Sequence, residues 1–139
     1  MLRALTVAIL ALLFGLGPAA AVEPADAASI RATIEAQLEA FRADDGPGAF
    51  AFASPSIQRL FRDPPTFMGM VQKGYPAVYR PRQVEFRDLL DRSSGLTQRV
   101  LLVGPDGVPV IADYLMQRQP DGSWRIDGCV IERAPERTA

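Results

Sequence analysis

From Ser29 onward, apolar residues recur at helical spacing: Ile30, Ile34, Leu38 and Phe41 fall on one face, with Arg31, Glu35, Glu39 and Arg42 on the other. Asp26 or Ser29 can cap the start, and Gly46 after Asp44-Asp45 supplies a stop. A short helical stretch runs through Ala49–Phe52. Ser54-Pro55 then reads as an N-cap followed by proline in the first helical position, which predicts a helix over Pro55–Phe61. Asp63-Pro64 repeats that signal and opens a helix carrying Phe67, Met70 and Val71, ending near Gly74–Pro76. After Pro81 the period changes to two. Val84 and Phe86 alternate with Glu85 and Arg87, and Gln98–Val103, Val108–Gln117 and Ser123–Glu132 follow as strands.

The last three strands are joined by Pro105-Asp106-Gly107 and Pro120-Asp121-Gly122. Proline pre-sets the turn and glycine takes the position of positive φ, as a three-residue hairpin loop requires. Two such turns make an antiparallel meander. The pattern therefore predicts an α+β domain: three N-terminal helices packed on one face of a curved four-stranded antiparallel sheet. Turn length also fixes register. With three-residue loops Val100 pairs with Ala112, and Ala112 with Val130. The even positions then share an inner, almost wholly apolar face: Val100, Leu102, Val110, Ala112, Tyr114, Met116, Trp124, Ile126 and Val130. The odd face carries Arg99, Leu101, Ile111, Asp113, Leu115, Gln117, Arg125, Asp127, Cys129 and Ile131, half of them apolar, too greasy for a simple solvent face and too charged for a core.

The N-terminus changes the setting. Met1-Leu2-Arg3 is a short positive start, Ala4–Leu16 is apolar apart from Thr6 and Gly15, and Ala19-Ala20-Ala21 places small residues at a cleavage site. That is the layout of a secretory signal peptide over residues 1–21, and the run falls short of the ~20 residues of a bilayer span. An uncleaved anchor is the less favoured reading. The chain is thus expected to be periplasmic or secreted in a bacterium, with a linker at 22–28, one domain at 29–132 and a polar tail at 133–139. No membrane association is expected after cleavage.

Composition then removes chemistry. The 139 residues suit one domain, and 15 basic against 16 acidic residues give a net charge of −1, which disfavours a nucleic-acid footprint. There is no histidine, so no Ser-His-Asp triad, Cys-His pair or histidine metal site can form, and no metal or cofactor is expected. The single cysteine, Cys129, precludes an internal disulfide; a buried, inert thiol is the favoured reading, although its expected outer-face position leaves an intermolecular disulfide open. Asp113 and Asp127 lie on neighbouring strands and could act as an acid–base pair. The predicted register instead sets Asp113 opposite Arg99, and Asp127 beside Arg125, as surface charge pairs; a one-residue slip would reopen the question. Asp44-Asp45 reads as loop solvation.

The helical half is rich in aromatic and sulfur side chains, and a sheet with helices across one face can leave an apolar cavity with a few polar groups at its open end. Gln37, Tyr75, Tyr79, Gln98 and Tyr114 are the polar-tipped candidates.

Ala43-Asp44-Asp45, Ala49–Ile57, Tyr75–Pro81 and Asp121–Cys129 resemble an uncharacterised bacterial family, domain of unknown function 4864, over roughly Ser29 to Ile131. More distantly, a helical half followed by a meander ending in Asp-Gly-x-Trp-Arg-Ile is similar to the nuclear-transport-factor-2-like, or cystatin-like, α+β roll. That resemblance implies a cone with an apolar pocket, often dimerising through the outer sheet face. Enzymes on such rolls place Asp, His or Tyr in the pocket; with only Tyr114 and Gln98 inward here, no catalytic role is carried over.

The expected function is a secreted, non-enzymatic domain that binds a small apolar or amphipathic ligand or an envelope partner, with Phe41, Tyr75, Tyr79, Tyr114 and Trp124 lining the pocket. One alternative is an isomerase- or hydrolase-like enzyme using Tyr114 with Asp113 or Asp127. The other is a purely structural homodimer joined through Leu101, Ile111, Leu115 and Ile131.

Overall fold

The computed structural model describes residues 22–135. The expected leader and the last four residues of the expected tail lie outside them. Helix α1 spans Pro24–Arg42 and buries Ile30, Ile34, Leu38 and Phe41, the stripe its periodicity predicts. It starts inside the stretch expected as a linker. Pro24 occupies its first turn, Ala25, Ala27 and Ala28 favour helix, and Asp26 complements the N-terminal dipole. Asp26 is also tied to the sheet: Arg118 donates to its Oδ1 at 2.6 Å and the Trp124 indole at 3.4 Å.

Among the described residues five helices, not three, precede the sheet. Helix α2 is Gly46–Ala51, so Gly46 starts a helix where a stop was expected. Asp45 is its N-cap, accepting from the Gly48 amide at 3.0 Å. Helix α3 is Pro55–Phe61 and α4 is Pro64–Gly74, each with the predicted cap: Ser54 accepts from the Ile57 amide and Asp63 from that of Thr66. Helix α5 is the single turn Pro76–Tyr79. It went unpredicted because one turn carries no periodicity.

The sheet is open, antiparallel and ordered β1-β2-β3-β4, with β1 at Gln83–Arg92, β2 at Gly95–Val103, β3 at Pro109–Arg118 and β4 at Trp124–Arg133. The helices cover one side of it, and the core lies between: Val100, Leu102, Ala112, Tyr114, Met116, Trp124 and Ile126 are buried against α1 and its neighbours. Gly107 and Gly122 adopt φ of 74° and 86°, as the Pro-Asp-Gly turns require. The β2–β3 register is the predicted one, with Val100 opposite Ala112.

The β3–β4 register departs from prediction halfway along. Arg118, Gln117 and Met116 pair with Trp124, Arg125 and Ile126 as expected, but Leu115 then pairs with Gly128 and Tyr114 with Cys129. Asp127 is the extra residue of a β-bulge. Because side chains alternate, one extra residue exchanges the two faces for everything beyond it. Ala112 therefore lies opposite Ile131, not Val130. Cys129 and Ile131, expected outside, pack against the core; Val130, expected inside, is 61% exposed.

The bulge is held from the helical half. Ser54 Oγ, fully buried, donates to Asp127 Oδ1 at 2.6 Å. Either side of that contact, the Ile126 amide donates to the Phe52 carbonyl (2.9 Å) and the Ser54 amide to the Ile126 carbonyl (2.8 Å), so Ala53 forms a short parallel bridge with Ile126. A second bulge, between Phe86 and Leu89 in β1, frees carbonyls of Arg87 and Asp88. The Gln98 amide caps them, donating to Arg87 at 2.8 Å. Gln98 is thereby spent on structure.

Candidate functional site: an apolar cavity beside β4

Helix α4 packs mainly on α2, α3 and α5 rather than on the sheet. Between its apolar face and the inner surface of β3 and β4 lies a cavity of about 460 Å³. Its walls follow from helix periodicity. Ile57, Leu60 and Phe61 come from one face of α3, Phe67, Met70 and Val71 from one face of α4, and Gln37 and Phe41 from the end of the buried stripe of α1. The sheet contributes Tyr114, Ile126, Gly128, Cys129 and Val130. Phe67 gathers the aromatic end, with ring centroids 5.4 Å from Phe50, 5.7 Å from Phe61 and 6.0 Å from Phe41.

Three of the five expected lining residues are brought together here: Phe41, Tyr75 and Tyr114. Tyr79 and Trp124 are not. Trp124 sits before the cavity-lining part of β4, under Arg118, whose guanidinium lies 5.2 Å from the ring centroid. Tyr79 belongs to a surface cluster on α5. Its hydroxyl donates to the Asp44 carboxylate, Arg80 stacks 3.9 Å from its ring centroid, and Arg80 also reaches Asp44 at 2.8 Å. The hydrogen bonds from Tyr79 and then Arg80 hold the Asp44 carboxyl below its ordinary range. Arg80 further donates to the Phe41 carbonyl at 2.5 Å, closing the C-terminus of α1. Asp44, at φ 51°, is the turn residue this latch grips.

The polar groups of the cavity are few. The Gln37 amide nitrogen donates to the Ala49 carbonyl at 3.1 Å. The Tyr114 hydroxyl is buried and finds no hydrogen-bond partner among the described residues. Burial, and secondarily the neighbouring Cys129, push its ionisation well above the ordinary value, so Tyr114 is a neutral phenol. Burial pushes the Cys129 thiol up to about 12, with a smaller contribution from the Asp113 charge, so it is not a thiolate nucleophile. Its inward position also removes the outer-face thiol on which an intermolecular disulfide rested.

Neither aspartate of the enzyme alternative lines the cavity. Asp113 faces the outer side, held by Arg99 at 3.1 Å and Arg92 at 3.3 Å, and its chain neighbour Tyr114 faces inward. Asp127 does turn toward the helices, contrary to the outer-face expectation, but it is engaged by Ser54. Among the described residues, no group of three or more acidic or cysteine side chains comes together to hold a metal ion. On the outer face, Leu101 and Ile111 line a groove of about 890 Å³ between Arg87, Arg99 and Arg133, and Leu115 lies on the same side. Ile131, the fourth residue expected there, packs inward.

Sequence reasoning missed Ile57, Leu60, Val71, Cys129 and Val130 as lining residues. The i, i+3, i+4 spacing of Ile57, Leu60 and Phe61, and of Phe67, Met70 and Val71, is the signal that could have found the helical ones. The two from β4 depend on the bulge.

No curated protein and no solved structure matches the chain. The pattern of one family does match, over residues 23–139, and by that match the chain belongs to the family described as domain of unknown function DUF4864.

Proposed function

We propose that the domain is a non-enzymatic binding module whose cavity takes up the apolar part of a small apolar or amphipathic ligand, with Phe41, Tyr75 and Tyr114 in its wall. The observation that carries this reading is the cavity itself. At 460 Å³ it lies within the size range of small-molecule sites, its walls are dominated by aromatic and aliphatic side chains, and its polar contribution is limited to a few groups. The Tyr114 hydroxyl, buried and without a hydrogen-bond partner among the described residues, is a polar donor set in an otherwise apolar wall. Export is the proposed setting, supported by the positive start, apolar run and small-residue site of residues 1–21.

Native mass spectrometry of the protein purified without denaturation tests the reading. The expected result is an adduct of a few hundred daltons, or uptake of one molar equivalent of 1-N-phenylnaphthylamine. A chain that carries no adduct and takes up no probe would remove it.

A further inference from the structure

The two edges of the sheet are built differently. β1 carries Glu85, Arg87, Asp88, Asp91 and Arg92 and is interrupted by a bulge. Charge and bulges are how edge strands avoid pairing with another chain. Among the described residues, β4 is paired on its outer side only at Ile126, where Phe52–Ser54 runs beside it before Pro55 turns the chain into α3. Past that point Gly128-Cys129-Val130-Ile131 has no charge and, among the described residues, no strand beside it. Among the described residues, Val130 and Leu60 are the two exposed large hydrophobic side chains, at 61% and 69%, and both rim the cavity.

We propose that the free edge of β4 from Gly128 to Ile131 docks an extended, uncharged segment of a partner polypeptide, which adds as a strand and places an apolar side chain between Leu60 and Val130 into the cavity. The inference rests on the cavity being a site for an apolar group, and makes that group a side chain of a polypeptide rather than part of a small molecule. Two independent features meet in it. An open backbone edge offers main-chain hydrogen bonds, and the socket beside it selects a side chain, the combination by which strand addition gains affinity and specificity. The isolated bridge between Ala53 and Ile126 is the point at which main chain already pairs with this side of β4, just ahead of the open stretch. A small molecule would use the socket and leave the edge unused. A charged segment would set its charges against Leu60 and Val130.

The test uses the purified protein and an array of blocked eight-residue peptides with Val, Leu, Ile or Phe at alternate positions and Thr between them. Two further arrays carry backbone N-methyl groups at the odd or at the even positions. The expected result is micromolar binding by members of the first array. It should weaken tenfold or more in one N-methyl series and survive in the other, because one side of a strand faces β4. Val130→Lys, at an exposed position, should weaken binding by a similar factor; Leu60→Asp is a second variant acting at the opposite rim, and circular dichroism confirms that both fold. Equal binding by both N-methyl series would overturn strand addition. So would absence of peptide binding while 1-N-phenylnaphthylamine still binds with saturation, a result that leaves the cavity reading standing. Loss of both would remove both. Self-association abolished by Val130→Lys, without peptide binding, would assign the edge to a second copy and overturn the proposal.

Discussion

The β2–β3 and β3–β4 hairpins are closed by the same three residues, Pro-Asp-Gly, with glycine at positive φ in each and the aspartate side chain accepting from the amide two residues on. Near the turns they are alike. The first keeps its register to Thr97 and Leu115; the second loses it after Met116 and Ile126, where Asp127 bulges. The difference lies outside the hairpins. Among the described residues no hydrogen bond from the helical half reaches the middle of the β2–β3 ladder, whereas the Phe52 and Ser54 backbone and the Ser54 side chain hold β4 at Ile126 and Asp127. Turn chemistry sets a register locally, and a contact across 73 residues of sequence resets it. The reset has a functional consequence, because it turns Cys129 toward the cavity and leaves Val130 on its rim.

The largest effect that would break this comparison comes from lysine scanning past the bulge. Cys129→Lys buries an unpaired charge and should cost about 3 kcal/mol or more in urea unfolding, while Val130→Lys should stay within about 0.5 kcal/mol. The unslipped register predicts the reverse order.

Next is the clamp. Ser54→Ala removes both the α3 cap and the partner of Asp127, an expected loss of about 2–3 kcal/mol. Asp113→Asn, the corresponding change on the regular ladder, loses half-exposed arginine contacts and should cost about 1 kcal/mol or less.

A subtler contrast concerns the thiol. With Cys129 near 12, its thiolate fraction at pH 8 is roughly three orders of magnitude below that of a free thiol near 8.5, so native modification by a thiol reagent should be correspondingly slow and become rapid in denaturant. Non-reducing electrophoresis of the native protein should show no disulfide-linked dimer.

The last contrast concerns alkaline stability, where the effect is small near pH 8.5 and grows as the pH rises above it. The unfolded thiol loses its proton from about pH 8.5, while the folded one keeps it to about 12, so the unfolded state binds fewer protons in that window and stability falls as pH rises through it. Cys129→Ala should flatten that part of the curve.

What was legible in the sequence was whatever local chemistry dictates. Ser54-Pro55 and Asp63-Pro64 marked two helix starts, the Ile30–Phe41 stripe marked the buried face of α1, and Pro-Asp-Gly marked both turns. The rest depended on contacts between distant segments. Tyr79 and Trp124 look like pocket residues by type, yet Asp44 with Arg80 and Asp26 with Arg118 hold them elsewhere. Asp45, read as loop solvation, caps α2 because the chain re-enters a helix at once. Gln98, read as a pocket group, is consumed by a β1 bulge that no alternation pattern reveals.

The central claim is that the space between α3, α4 and β4 is a binding site, and filling it is the most direct test. Ile57→Trp adds bulk at a half-buried position of its wall. Titration with 1-N-phenylnaphthylamine should give one saturable site in the natural protein and lose it in the folded Ile57→Trp variant. Undiminished binding in that variant, or no saturable binding in either protein, would contradict the account.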